Sequence, residues 1–458
     1  MPIRSVNPAT EEVLAEFAEH APAQVEAALS SAHTAFQTWR ETPMGERSRL
    51  MLAAAAVLRR DRDRLAGLIT AEMGKPITES EAEIEKSAWG CEFYAENAAR
   101  FLADQHIASS ASESYIAFQP LGVILAVMPW NFPFWQVLRF AAPTLMAGNI
   151  ALLKHASNVP QCALAIEHVF RECGFPTGAF QTLLVRPPAI NALIEDQRVA
   201  AVTLTGSDAT GAKVAGASGR ALKKIVLELG GSDPFIVLAD ADLDAAATTA
   251  ARARFLNTGQ SCIAAKRFIV VERVLDEFTV RFRAAVAQLK VGDPTDRATQ
   301  VGPLARADLR ETLERQVRDS ASAGARIVLG GTRLEGQGYF FSPTILNGVT
   351  PDMAAFRVET FGPVAAVVRA ADEHEALRLA NDSRYGLGAS LWTRDVERGR
   401  GLARRIESGS VFINGMVMSD PRLPFGGVKR SGYGRELSEF GIREFVNVQT
   451  TWIGPVKA

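Results

Sequence analysis

Between residues 122 and 290, short apolar runs alternate with longer helical patterns, and this alternation restricts the fold more than any other feature. Gly122-Val-Ile-Leu-Ala-Val-Met is a continuous apolar run, as in a strand covered on both faces. Ile150-Ala-Leu-Leu is followed by a helical pattern near 159–173, and Ala200-Ala-Val-Thr-Leu by one near 209–219. Ile225-Val-Leu-Glu-Leu and Phe235-Ile-Val-Leu come next, then a helix over 242–257, the run Phe268-Ile-Val-Val and a helix over 275–289. Strands separated by helices pair in parallel and are covered by those helices, so the expected class is α/β. Upstream, 23–40, 45–70 and 77–105 read as helices; in the second, Leu50, Ala53, Ala54, Val57 and Leu58 recur near the helical period. The alternating segments Ser114-Tyr-Ile-Ala-Phe and Glu444-Phe-Val-Asn-Val-Gln-Thr-Thr-Trp-Ile read as strands, the second at a sheet edge.

A chain of 458 residues has room for two or three domain-sized units. Its 50 basic and 51 acidic residues leave no net field that would attract nucleic acid or an anionic membrane, so neither partner is expected. No apolar run approaches the roughly 18 residues needed to span a bilayer. The segment MPIRSVNPATEEVLAEF lacks an apolar signal core, which points to a cytoplasmic location. The cysteines Cys91, Cys162, Cys173 and Cys262 make no C-x-x-C, and the six histidines make no H-x-x-x-H, so no metal is expected. The G-x-S-x-G elbow of a serine hydrolase is missing.

Four features carry chemistry. In Asn257-Thr-Gly-Gln-Ser-Cys262, a cysteine in a Gly-containing turn reads as a nucleophile, or more blandly as a small buried hydrophobe. Glu228 ends an apolar strand before Gly-Gly, where apolar neighbours would raise its pKa toward that of a general base; a strand-end Glu facing water is the alternative. Thr205-Gly206-Ser207 opens a helix whose N-terminus favours an anion such as a pyrophosphate, though a plain β-α turn looks the same. Pro129-Trp130-Asn131-Phe132-Pro133 ends the 122–128 strand and offers the Asn131 amide to a developing oxyanion, or is simply a turn. Trp135 and Arg139, spaced i, i+4, share a helix face, and an Arg beside aromatic residues suits a carboxylate. Nucleophile, base, oxyanion donor and phosphate-tolerant turn together fit covalent acyl chemistry beside a nucleotide.

These motifs resemble the aldehyde dehydrogenase superfamily, and within it the succinate-semialdehyde dehydrogenases. The resemblance runs from Asn7-Pro-Ala-Thr to Gln449-Thr and includes Lys154-His-Ala-Ser157, Glu359-Thr-Phe361-Gly-Pro and Pro424-Phe-Gly-Gly-Val-Lys-Arg-Ser-Gly. It implies that Cys262 attacks the aldehyde, that Asn131 and the Cys262 backbone N–H hold the oxyanion, and that Glu228 activates the hydrolytic water. It implies cofactor contacts at Trp130, Lys154, Ser157, Gly206, Ser207, Glu359 and Phe361. Substrate contacts are implied at Arg139 and Ser419, with Phe132, Trp135 and Phe425 as aromatic walls.

NAD-preferring relatives carry a Glu where this chain has Ser157. Without that carboxylate a 2′-phosphate is not repelled, so NADP is expected to be preferred and NAD accepted. Some relatives have a second substrate Arg where this chain has Leu256, which favours a longer semialdehyde or an aromatic aldehyde as the alternative substrate. Others have a second cysteine where this chain has Ala264, so that local disulfide is not available. A CoA-acylating relative would lack Glu228, and a catalytically silent one would have lost Cys262, Glu228 or Asn131.

The implied fold is a Rossmann-like cofactor domain, an α/β catalytic domain and a small β oligomerisation extension. The expected division is 1–230 for the cofactor domain, interrupted near 112–120 by an oligomerisation strand, and 231–425 for the catalytic domain. Residues 426–458 return to the cofactor domain and end in the C-terminal oligomerisation strand. A homodimer or homotetramer acting on a small-molecule aldehyde is implied.

Overall fold

The computed structural model describes residues 2–455. Two large sheets form it. The first has six strands in the order Gly432–Tyr433, Lys224–Glu228, Val199–Thr205, Val123–Met128, Ile150–His155 and Phe180–Thr182. All its pairings are parallel except that of Gly432–Tyr433 with Lys224–Glu228. Every residue of Val123–Met128 and Ile150–His155 is buried, which explains the unbroken apolar runs Val123–Met128 and 150–153. The second sheet has seven strands in the order Arg326–Leu329, Thr344–Asn347, Val364–Ala370, Ala265–Val271, Asp233–Val237, Gly388–Trp392 and Ser410–Ile413. It is parallel but for its first pair. Helices cover both sheets, and a separate apolar core packs on each face of the second.

A third sheet is antiparallel: Val446–Ile453, Glu113–Pro120 and Gln105–His106. Val446–Ile453 pairs residue for residue with Glu113–Pro120 and is the outer strand. Val448 and Trp452 on it are 60% and 55% exposed.

Three helical expectations need correction. The 45–70 pattern is two helices, Met44–Arg60 and Arg62–Met73, broken at Asp61. Asp61 leaves the helical region (ψ 12°), and its carboxylate is held by Arg60 at 2.7 Å and Arg64 at 2.8 Å. The run Arg59-Arg-Asp-Arg-Asp-Arg64 carries no apolar face across the break. The 77–105 pattern ends at Phe101, and Gln105–His106 joins the third sheet. The 242–257 pattern ends at Phe255, where a tight turn over Leu256–Gly259 takes Asn257 (φ 54°), Thr258 (φ 55°) and Gly259 (φ 72°) into left-handed conformations. That turn delivers the chain to Cys262. No helix among the described residues is long and apolar enough to cross a membrane.

Candidate active site

The turn before Ala265–Val271 is held from inside. Lys266 is fully buried, and its Nζ donates to the carbonyls of Ser261 (3.0 Å), Cys262 (2.8 Å) and Ala264 (3.1 Å). Arg254, also fully buried, donates to the carbonyls of Gly259 (2.8 Å), Ala265 (3.0 Å), Thr360 (3.2 Å) and Gly362. Gly231 passes so close that a Cβ there would lie 2.5 Å from the Cys262 carbonyl oxygen. The half-buried Cys262 thiol is pushed up to about 12, first by burial; Arg139 and Lys266 pull the other way. At rest it is a neutral thiol that needs a base.

Asn131 is tied to the same turn. Its Nδ2 donates to the Gln260 carbonyl at 3.0 Å, and Asn257 Nδ2 donates to the Asn131 carbonyl at 2.8 Å. One N–H of the Asn131 amide remains for a ligand. Two further residues brace its segment. His155 contacts the Pro133 carbonyl through Nε2 at 3.0 Å and accepts the Ala156 N–H at Nδ1. Nδ1 also lies 3.3 Å from the Met128 carbonyl, and burial pushes the ring's pKa down to about 4, so it is neutral near pH 7. Glu83 Oε1 accepts the N–H groups of Phe134 (2.8 Å) and Trp135 (3.0 Å), capping the helix Trp135–Met146. Its other oxygen pairs with the buried Lys75, whose ammonium sits 3.7 Å from the Phe132 ring centre.

Glu228 ends its strand 2% exposed, and neither carboxylate oxygen has a hydrogen-bond partner. Burial raises its pKa well above the usual range, with Glu436 the next cause. Glu436 is in turn 2.5 Å from Arg139 Nε. A Cβ at Gly426 would lie 2.7 Å from Glu228 Oε1, so only glycine leaves room for the carboxylate. In this position Glu228 does not line the cavity at Cys262.

That cavity, about 240 Å³, brings Cys262 together with Phe132, Trp135, Arg139, Ser419 and Phe425. Trp135 Nε1 donates to Ser419 Oγ at 3.1 Å, and the Arg139 guanidinium lies 4.8 Å from the Phe425 ring centre. Leu256 lines it too. The helix Ile77–Phe101 contributes Glu79, Ala82, Glu83 and Lys86, spaced i, i+3, i+4, i+7 on one face.

The other implied residues lie at carboxyl ends of the six-stranded sheet and across from it. Trp130 and Phe361 meet edge to face at 5.7 Å between ring centres. Glu359 Oε1 accepts the Gly231 N–H at 3.1 Å and lies 3.6 Å from Lys266 Nζ. Lys154 closes Ile150–His155 one residue from its end, 6% exposed, its pKa pushed down to about 8 by burial. Ser157 follows that strand. Gly206 leads into Ser207, which caps the helix Asp208–Arg220 by accepting the Thr210 N–H at 3.3 Å. Among the described residues, no group of three His, Cys, Asp or Glu side chains could hold a metal ion.

The family model described as "Aldehyde dehydrogenase family" matches residues 1–451. The chain belongs to the aldehyde dehydrogenase family. It is 53% identical over 453 residues to a Synechocystis sp. protein named probable succinate-semialdehyde dehydrogenase (NADP+), covering 99% of this chain and 100% of the relative. It is 53% identical over 456 residues to a Mycobacterium tuberculosis protein named succinate-semialdehyde dehydrogenase (NADP+) 1, with the same coverage. The crystal structure of succinic semialdehyde dehydrogenase from Streptococcus pyogenes, in complex with NADP+, superimposes with a TM-score of 0.97 at 39% identity, covering 99% of this chain and 100% of that one. Enzymes of the family act on aldehydes and are typically oligomeric.

In this aldehyde dehydrogenase the structure gives roles to five residues to which the sequence assigns none: Lys266, Arg254, His155, Glu83 and Lys86. Four of them act by holding backbone, and no motif announces a cation that satisfies carbonyls. Lys86 had a weak signal in the spacing of its helix face, but Glu and Lys at i, i+3 look the same on a solvated helix.

Proposed function

We propose that the chain oxidises succinic semialdehyde to succinate with NADP, and that NAD serves less well. The cavity carries this reading: it joins Cys262 to Arg139 and Ser419, a nucleophile with a cation and a hydroxyl for a distal carboxylate, in one small space of about 240 Å³. The names of the relatives support it.

In this reading the Cys262 sulfur bonds to the aldehyde carbon to give a thiohemiacetal, the C=O π pair moves to the oxygen, and the thiol proton is lost to water. The free Asn131 N–H and the Cys262 backbone N–H stabilise the oxyanion. A single oxyanion donor is worth about 2.7–4 kcal/mol in the transition state. A bound NADP would supply the hydride acceptor that converts the thiohemiacetal to a thioester on Cys262. Glu228 then deprotonates the hydrolytic water, having swung out of its buried position beside Glu436. Leaving that position removes the burial and the Glu436 charge that raise its pKa, so the carboxyl ionises and can take the proton. Arg139 and Ser419 hold the distal carboxylate, with Phe132, Trp135 and Phe425 walling the chain between. The residues fit the dinucleotide: Ser157 puts no carboxylate at the place that would repel a 2′-phosphate, and Glu359 with the edge-to-face pair Trp130 and Phe361 would hold the nicotinamide ribose and ring. Gly206 and Ser207 offer a helix N-terminus to the diphosphate.

The domain division 1–230, 231–425 and 426–458 belongs to the same proposal. It is supported by the six-stranded sheet drawing on 123–228 and 432–433, and the seven-stranded one on 233–413. A homodimer or homotetramer built through the outer edge of Val446–Ile453 is supported by the exposed Val448 and Trp452 on an unprotected strand.

The apolar Leu256 and the aromatic walls favour a second reading, an aromatic or longer-chain aldehyde as substrate. Initial rates with succinic semialdehyde and with benzaldehyde, each with NADP and NAD, decide between them. Faster turnover of the acid at low concentration with NADP supports the first reading; preference for benzaldehyde refutes it.

A further inference from the structure

A four-carbon acid in this cavity presents a full negative charge, and Leu256 supplies nothing to meet it. Arg139 supplies one cation, yet its Nε is already engaged by Glu436. We propose that Lys86, reaching in from the helix Ile77–Phe101, is the second cation that recognises the distal carboxylate, acting together with Arg139 and Ser419. This rests on the proposed substrate and deepens it.

Three observations carry the assignment. First, Lys86 Nζ donates to Ser419 Oγ at 2.7 Å, in the same cavity as Cys262. Ser419 Oγ accepts from Trp135 Nε1 as well, at 3.1 Å. A hydroxyl has two acceptor sites and one proton, so with both acceptor sites filled its own O–H is left to donate. Lys86 and Trp135 therefore orient Ser419 as a donor, which is what a carboxylate needs. Second, the ammonium rests 4.6 Å from the Trp135 ring centre, which holds a flexible side chain in place. Third, Lys86 has no ion-pair partner among the described residues, whereas the acids beside it are engaged. Glu83 is filled by Lys75 and two backbone N–H groups, and Glu79 accepts the Asn257 N–H. A half-buried cation without a carboxylate partner, bonded to a hydroxyl in a substrate cavity, is ready for an anionic ligand. Arg252 lines the cavity too, but it is exposed and has no bond to Ser419.

Burial pushes the Lys86 pKa down to about 8; Arg139 and Lys75 also lower it, while Asp420 and Glu83 oppose them. The second cation should thus be lost as pH rises through about 8 in the free enzyme.

The test compares wild type, Lys86→Met and Lys86→Arg, with NADP, on succinic semialdehyde and on butanal, its uncharged four-carbon counterpart. The readout is the ratio of kcat/KM for the acid to that for butanal, so any change in Cys262 reactivity cancels. Lys86→Met should lower the ratio about tenfold to a hundredfold, mainly through KM for the acid, while Lys86→Arg keeps most of it. Glu79, in the same cavity and pushed up to about 7 by burial, ionises in both proteins, so above about pH 8 the ratio should fall more steeply in wild type than in Lys86→Arg. Equal losses on both aldehydes would make Lys86 a support for Trp135 and overturn the assignment alone. So would a pH profile of Lys86→Arg identical to wild type, which needs no other variant to fold. A wild type that does not prefer the acid over butanal would overturn the proposed substrate, and the Lys86 assignment with it.

Discussion

Arg139 holds its Nε 2.5 Å from Glu436 Oε2, with both side chains buried. The same Glu436 is the largest charged influence on Glu228. The cation assigned to the substrate carboxylate and the base assigned to hydrolysis thus share one buried cluster, and a change at any member reaches the others.

Arg139→Ala should therefore fail in two ways. It should raise KM for succinic semialdehyde far more than for butanal. It should also leave Glu436 buried without its partner, a defect that costs about 3–5 kcal/mol when a buried pair is broken. The double variant Arg139→Ala/Glu436→Gln separates the two effects. Its melting temperature should return most of the way to wild type while KM stays high. Equal rises in KM for both aldehydes in Arg139→Ala would remove Arg139 from the substrate site.

Glu228→Gln should trap the acyl-enzyme. Steady-state kcat should fall by about 10²–10⁴, while stopped-flow absorbance still shows a burst of up to one reduced nicotinamide per active site. Loss of the burst would mean that Glu228 is needed before the thioester forms. The same change should stabilise the fold at alkaline pH. Burial raises the folded pKa of Glu228 above its unfolded value of 4.5, so the folded state binds the proton more tightly. Stability is then lost as pH rises above 4.5 toward the folded value, and the neutral amide is spared that loss. Melting scans should show the Glu228→Gln variant ahead of wild type at about pH 8, with the gap closing toward pH 4.5.

Ser157→Glu should turn the enzyme toward NAD. A carboxylate a few ångströms from a 2′-phosphate repels it by an order of 1–4 kcal/mol in a partly screened site. The NADP-to-NAD ratio of kcat/KM should drop at least about tenfold. An unchanged ratio would place the 2′-phosphate away from Ser157.

The parallel sheets were legible because Val123–Met128 and residues 150–153 are buried on both faces and had to be apolar. The convergence of Cys262, Arg139, Trp135 and Ser419 matches residues that motifs and family resemblance single out. The break at Asp61 was hidden because helical periodicity continues on both sides of it. The Leu256–Gly259 turn was hidden because its left-handed residues are Asn and Thr as well as Gly, and they are held there by Glu79 and Gly302 from distant segments. Lys266 and Arg254 were hidden for a similar reason: a buried cation paired with carbonyls has no sequence partner to give it away. What escaped the sequence is the scaffolding that satisfies backbone groups across long separations.

That scaffolding sets the resting reactivity of Cys262. Its thiol is pushed up to about 12 by burial, and the nearby cations only partly offset this. Alkylation proceeds through the thiolate, so the rate should be slow at about pH 7 and climb roughly tenfold per pH unit. The climb should continue past about pH 9, where an unperturbed thiol of pKa about 8.5 is already levelling off. Iodoacetamide labelling of the enzyme without cofactor, read by peptide mass mapping, gives the profile for each cysteine. Cys173, half-buried and pushed up to about 11, serves as an internal reference, and Cys91 and Cys162 are buried. Succinic semialdehyde should protect Cys262 and leave Cys173 unaffected. A Cys262 rate that levels off at about pH 8 or below would mean that its thiolate is already stabilised at rest, and that no base is needed to start the reaction.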